Sequence, residues 1–187
     1  FEDQSVAGWE GSSTYPQIST ESVEGDYSML SATESGAGLV SWTDGPFLDL
    51  QQGFTISGTF KGTHSNVGDG NTIRIGISSG NPDTEGENVY LSFDDFNDET
   101  YLSTFRTQPP AQDSISQSFD NTWVRFEIQS EDNNNTVTAK VWEYGTSEPS
   151  SFQLSREFQG QSGEFTVDTG GAESATREAY LDSVTIS

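Results

Sequence analysis

Cysteine is absent from the 187-residue chain, which excludes a disulfide framework and any thiolate metal site. Histidine occurs once, at His64, so the chain has no His/Cys cluster for zinc. No apolar run reaches the roughly 18 residues that a membrane-crossing helix needs, so membrane insertion is not expected. Helical periodicity is nearly absent as well. Basic residues are scarce: 7 Lys and Arg stand against 30 Asp and Glu, and the only lysines are Lys61 and Lys140. Phosphate backbones and anionic lipids are bound by basic footprints, so neither nucleic acid nor a lipid surface is an expected partner.

What the chain has in excess is acid. Its formal net charge is −23. Unpaired charge is too costly to bury, so this surplus coats the surface. In dilute salt such a coat repels itself and destabilises the compact state. At ~1 M salt the screening length falls to roughly 3 Å and the repulsion fades. The acidic coat with few lysines therefore reads as adaptation to brine, on an extracellular or cell-surface protein of a halophilic organism. Disorder is not the expectation, because four Trp, six Tyr and twelve Phe are present and acidic disordered tails lack such residues. The length suits a single domain over residues 1–187. The chain starts and stops inside strand-like text, which suggests a mature protein or an excised domain.

Period-two alternation bounded by Gly, Asn, Asp and Ser predicts strands at Ser28–Ala32, Gly38–Thr43, Phe47–Leu50, Gly53–Lys61, Thr72–Ser78 and Asn88–Phe93. Further strands are predicted at Tyr101–Arg106, Thr122–Ser130, Thr136–Tyr144, Phe152–Phe158, Gly163–Asp168 and Ala179–Ile186. The loops Thr63–Asn71, Ser79–Glu87, Thr107–Ser118 and Thr169–Glu178 hold most of the Gly, Pro and Asp. This pattern predicts an all-β, two-sheet antiparallel sandwich. Ile73, Ile75 and Ile77 should share one face, as should Val124, Phe126 and Ile128, and Val137, Ala139 and Val141. Glu131–Asn135 reads as the turn of a hairpin. Keeping both apolar rows on one face places Ile128 opposite Val137 and Val124 opposite Val141. The other face then pairs Trp123 with Trp142, Arg125 with Lys140, and Glu127 with Thr138. Two readings stay open for that face: a ligand platform, or aromatics covered by a crossing segment.

Several fragments, in order, carry a resemblance. Phe1-Glu2-Asp3 opens the chain before Gly8-Trp9. Gly25-Asp26-Tyr27-Ser28-Met29, Gly53–Phe60 and Asn88–Phe93 follow, then the hairpin entered at Trp123. Ala179-Tyr180-Leu181-Asp182-Ser183-Val184 closes the chain. Together they resemble the concanavalin A-like lectin/glucanase superfamily, in its laminin-G-like and laminarinase-like branches. A galactose-binding-like jelly roll shares the opening and closing signatures and is the alternative fold. The resemblance implies a jelly-roll sandwich and a structural Ca²⁺ tying the chain ends together, with Glu2, the Gly25 carbonyl and Asp182 as matching positions. Such a cation takes oxygen ligands.

Catalytic signatures are weak. A glycosidase needs paired carboxyls, and the laminarinase-like Glu-x-Asp-x-(x)-Glu run is missing, which leaves Glu127 as a lone acid. Nothing in the sequence orients His64 for a triad. The acidic stretch Asp94–Glu99 lacks the spacing of a Ca²⁺ loop and reads as a turn cap, while Asn134-Asn135-Thr136 is a glycosylation sequon. The expected function is a non-catalytic carbohydrate-binding or adhesive module, with a polysaccharide or glycan as partner. Stacking aromatics and polar side chains for it are supplied by Trp42, Tyr90, Tyr101, Trp123, Arg125, Glu127, Trp142 and Tyr144. The alternatives are a structural or assembly domain that docks other surface-protein subunits and, last, a glycoside hydrolase-like enzyme with a non-standard site.

Overall fold

Alternating apolar residues become strands wherever one face can be buried. A computed structural model describes residues 1–11, 15–33, 38–64, 72–78, 88–94, 99–103, 114–117, 119–131, 135–158, 162–169 and 177–187. Among them every regular element is a strand: β1 (Trp9–Gly11), β2 (Gln17–Ser19), β3 (Ser28–Thr33), β4 (Leu39–Trp42), β5 (Leu48–Asp49), β6 (Phe54–His64), β7 (Thr72–Ser78) and β8 (Asn88–Asp94). They continue as β9 (Glu99–Ser103), β10 (Ser114–Ile115), β11 (Val124–Ser130), β12 (Thr136–Glu143), β13 (Leu154–Glu157), β14 (Ser162–Asp168) and β15 (Arg177–Ile186). An eight-stranded sheet runs β1-β4-β14-β7-β8-β9-β10, with β5 added beside β14. A seven-stranded sheet runs β13-β12-β11-β6-β15-β3-β2. Every ladder between these strands is antiparallel.

The core lies between the two sheets. Ile73, Ile75 and Ile77 of β7 and Val89, Leu91 and Phe93 of β8 face Ile56 and Phe60 of β6, Phe126 and Ile128 of β11, and Leu181 of β15. Each fully buried side chain of this kind contributes roughly 1.5–3 kcal/mol. Phe60 and Phe93 stack across the gap with centroids 5.0 Å apart, and Phe119 meets Phe93 edge-on at 6.4 Å.

The hairpin keeps the predicted faces but not the predicted register. Ile128 lies opposite Ala139, Phe126 opposite Val141, and Val124 opposite Glu143. The shift is an even number of residues, so the apolar row stays inside. Its cause is a longer turn: the predicted register would pair Ser130 with Asn135, but Ser130 pairs with Val137, so the turn takes in two more residues, Asn135 and Thr136. A second difference concerns the chain ends. β15 is an interior strand between β6 and β3, and β1 edges the other sheet, so the two ends do not meet as neighbouring strands. The N-terminal segment still reaches the vicinity of β15 through Glu2, as shown below. β1, β2 and β10 are too short to show any alternation.

One irregularity in β15 matters for function. Its inward residues are Ala179, Leu181, Val184 and Ile186. The step from Leu181 to Val184 breaks the period of two, so one residue must bulge. Pairing with β6 shifts between Leu181 and Ser183, leaving Asp182 without a ladder partner. Bulges re-aim side chains, and Asp182 is turned away from the core.

Candidate functional site

On β6 the inward residues are Phe54, Ile56 and Phe60. The alternation therefore sends Thr55, Ser57, Thr59 and Lys61 outward. β11 sends Arg125 and Glu127 to the same side, and β12 sends Lys140 and Trp142. Register places Arg125 beside Trp142 and Thr59, and Glu127 beside Lys140 and Ser57. Past the bulge, β15 adds Ser183 and Thr185, next to Thr59 and Ser57. Of these, Ser57, Thr59, Arg125, Glu127, Trp142, Ser183 and Thr185, together with Glu24 and Glu148, line a groove of about 420 Å³ on the outer face of the seven-stranded sheet, with Lys140 beside it.

The groove's charged groups are held in place. Arg125 bonds Glu24 and lies over the Tyr144 ring at 5.3 Å. The Tyr144 hydroxyl donates a long bond, 3.5 Å, to the Val23 carbonyl. Ser183 Oγ donates to the second Glu24 oxygen at 2.7 Å and also contacts Thr59 Oγ1 at 3.3 Å. Lys140 bonds Glu148 and sits 3.4 Å from Glu127. The Glu148 bond is the main reason its ammonium pKa is raised. The Lys140 ammonium also lies 5.9 Å from the Trp142 ring centroid.

Trp123 does not join Trp142. It closes over Lys61, whose ammonium sits 5.6 Å from the Trp123 ring and 4.8 Å from that of Tyr180 and bonds Glu21. Lys61 is only 4% exposed, so Trp123 covers a buried cation. The predicted Trp123–Trp142 pair is thus replaced by Arg125–Trp142, a consequence of the shifted hairpin register. Trp123 and Trp142 are both half-buried; Trp123 packs on Lys61 and Tyr180, and Trp142 lines the groove.

The remaining aromatic candidates lie elsewhere. Trp42 stacks on Trp9 at 5.6 Å with the planes 5° apart, and Trp9 meets Phe165 edge-on at 6.0 Å. This places Trp42 at the margin of the core, beside β1. Tyr90 and Tyr101 point outward from the eight-stranded sheet, on the opposite side of the sandwich from the groove. Tyr90 is fully buried, and its hydroxyl makes no hydrogen bond of good geometry, although Ser78 and Thr166 lie close enough to oppose part of its pKa rise. Burial first, then the nearby Asp168 carboxylate, push its pKa up to about 12. Tyr101 is raised too, by burial and then by Asp94, which lies 3.5 Å from its hydroxyl. In this layer Arg74 bonds Asp168 at 3.0 Å, Ser92 bonds Ser103 at 2.6 Å, and Asn88 and Thr166 are buried with polar atoms that have no partner.

The three expected metal ligands gather around one turn. Asp182 Oδ2 accepts the amides of Val23 and Glu24, both at 2.6 Å. The Glu2 carboxylate accepts the amide of Asp26 at 3.0 and 3.1 Å and that of Tyr27 at 3.2 Å. Gly25 between them has φ +127°, and a Cβ there would collide with the Glu2 carboxylate. Its carbonyl accepts Ser22 Oγ at 2.8 Å. Two carboxylates and a carbonyl are the hard oxygen donors that Ca²⁺ takes. Asp182 Oδ1 is buried and has no partner, so the donor set fits such a cation. Among the described residues no group of three or more His, Cys, Asp or Glu side chains is arranged to hold a metal.

Glu24, Glu148 and the hydroxyl row Ser57, Thr59, Ser183 and Thr185 were not singled out from sequence. The row was readable in principle, as hydroxyls at every second position of β6 beyond its inward apolar set. Glu24 was not readable, because its place depends on how Asp182 holds the turn. Asp95–Asp98 of the acidic stretch, Asn134 of the sequon and the His64 side chain lie outside the described residues. So do Ser65–Asn71, Ser79–Glu87, Thr107–Asp113 with Ser118, and Gly170–Thr176 of the four predicted loops.

No family model matches the sequence, and no curated protein matches it. Solved structures do. The carbohydrate-binding module CBM66 from Bacillus subtilis superimposes with a TM-score of 0.61 at 11% identity, over 96% of this chain and 94% of that one. Lectin II from Ulex europaeus gives 0.57 at 10% identity, over 95% and 91%. The alginate lyase AlgAT5 of polysaccharide lyase family 7 gives 0.62 at 10% identity, over 95% and 84%.

Proposed function

We propose that the chain, which has the concanavalin A-like jelly-roll sandwich fold shared with a carbohydrate-binding module, a lectin and an alginate lyase, is a non-catalytic carbohydrate-binding or adhesive module. It binds a glycan in the groove of the seven-stranded sheet, with Ca²⁺ at the turn of residues 22–27, outside the cell or on its surface in concentrated salt. One observation carries this reading. The groove combines a half-buried indole, Trp142, with the hydroxyls of Ser57, Thr59, Ser183 and Thr185 and with carboxylates fixed by ion pairs. Sugars are held by an aromatic face and by polar groups that orient their hydroxyls. Glu2, the Gly25 carbonyl and Asp182 would hold the cation, which supplies a crosslink between the N-terminal segment and β15.

Tyr90, whose phenol pKa is raised by burial, is not placed to transfer a proton. A proton-transferring group must reach its substrate, and Tyr90 is fully buried with its proton held up to about pH 12. An assembly role gains less support: Phe47 is the one strongly exposed large hydrophobic among the described residues, and docking patches are wider.

Polysaccharide pull-down and glycan-array binding in concentrated KCl test the reading. The expected result is retention on at least one glycan, clearly reduced by Trp142→Ala. Failure across plant, algal and microbial glycans would sink it. The Ca²⁺ part is tested by melting with and without chelator at fixed ionic strength. An unchanged midpoint removes the cation and leaves the groove standing.

A further inference from the structure

The charges in the groove limit what kind of sugar it takes, an inference that rests on the glycan reading above. Each cation is already engaged: Arg125 by Glu24 and the Tyr144 face, Lys140 by Glu148 and Glu127. Carboxylates outnumber cations there, within a chain of net charge −23. A uronate or sulfate entering the groove would have to displace one of these carboxylates, leaving two like charges side by side at short range. A neutral sugar meets no such penalty. Its hydroxyls donate to carboxylate oxygens already fixed in place and exchange hydrogen bonds with Ser57, Thr59, Ser183 and Thr185. Its apolar face can lie on Trp142. The volume, about 420 Å³, falls within the roughly 300–1,000 Å³ of small-ligand sites.

We infer that the groove is a site for an uncharged sugar unit and selects against uronic and sulfated glycans. Glu148 is the residue that sets this preference most directly. It bonds Lys140 from an exposed position, with 55% of its side chain accessible, and its replacement frees the ammonium without touching the core.

The test is calorimetric titration of the intact protein, at moderate and at high salt. One set of probes is neutral gluco-, manno- and galacto-oligosaccharides. The other is oligo-uronates and sulfated galactans. The wild type should bind a neutral probe and show no heat with the charged ones. Trp142→Ala should weaken that binding about tenfold. Glu148→Lys, on the surface, should keep the fold and gain affinity for an oligo-uronate. Binding of a charged probe as tightly as any neutral one, with the same dependence on Trp142, overturns the selectivity and keeps the glycan groove. Binding by neither class, or binding untouched by both substitutions, overturns the selectivity and the groove reading together.

Discussion

Both outward faces of the sandwich carry polar side chains, but the layer around Tyr90 is sealed whereas the groove beside Trp142 is open. On the eight-stranded sheet Asn88, Tyr90, Ser92 and Thr166 are fully buried, and three of them hold polar atoms with no partner. On the seven-stranded sheet Arg125 and Glu148 keep 47% and 55% of their side chains accessible while forming ion pairs. Unpaired buried polar atoms cost about 1–3 kcal/mol each, and exposed ion pairs contribute roughly 0–1 kcal/mol. The sealed face is therefore where substitutions move stability. The open face is where they can move binding with little change in stability.

Tyr90→Ala and Trp142→Ala give the largest separation. Tyr90 is fully buried, so its truncation should cost about 3–5 kcal/mol. Trp142 lines an open groove, and its truncation should cost about 1 kcal/mol or less. Denaturant unfolding of both variants in the same salt measures the difference. Equal losses would mean the two faces are not distinct.

Alkaline titration probes the sealed layer next, although Tyr180 on the other sheet is raised as well, by burial and then by its bond to Glu178. The Tyr90 phenol titrates near 10.0 unfolded and at about 12 folded. Its contribution is fully present below pH 10 and is lost as pH rises toward 12, because the unfolded chain releases the proton first. The loss reaches roughly 3 kcal/mol at the top of that window. Tyr101 shifts in the same direction, through burial and then Asp94. Phenolate absorbance followed beside circular dichroism should show Tyr90 ionising only as the fold is lost. Early, fully reversible ionisation of every tyrosine near pH 10 would show that the face is open to water.

The turn that borders the groove comes third. Asp182→Ala leaves the Val23 and Glu24 amides without their acceptor, at a cost of about 2–3 kcal/mol for bonds to a charged group. Because Glu24 also holds Arg125 and Ser183, glycan affinity should fall in this variant although Asp182 lines no part of the groove. The same substitution should remove any rise in melting temperature with Ca²⁺. Affinity that stays at the wild-type value would show that the turn and the groove are independent.

These contrasts were only partly legible in the sequence. The fold was, because most predicted strands have an apolar row of period two and the core is built from those rows. The faces of the hairpin were legible for the same reason. Its register was not, since the turn could take four residues or six without moving any apolar side chain outward. The candidate site was split for a related reason. Alternation shows that Tyr90 and Trp142 both point away from the core, but not that they point away on opposite sides of it. The spacing of Leu181 and Val184 was a readable sign of a one-residue irregularity in β15, but that it falls at Asp182 comes only from the ladder.

The smallest effect is the sharpest. Tyr90→Phe removes a hydroxyl that is buried and makes no hydrogen bond of good geometry, and deleting such a group should be neutral or stabilising by up to about 1 kcal/mol. Tyr180→Phe, on the other sheet, removes a hydroxyl that donates to Glu178 at 2.7 Å, and should cost about 1 kcal/mol. The two substitutions are chemically identical, so any difference in sign comes from the two environments. If Tyr90→Phe is the more costly of the pair, the hydroxyl has a partner after all, most simply an ordered internal water shared with Asn88 and Thr166. The sealed face would then be a hydrated cavity, and its neighbours Asn88 and Thr166 would become the next residues to substitute.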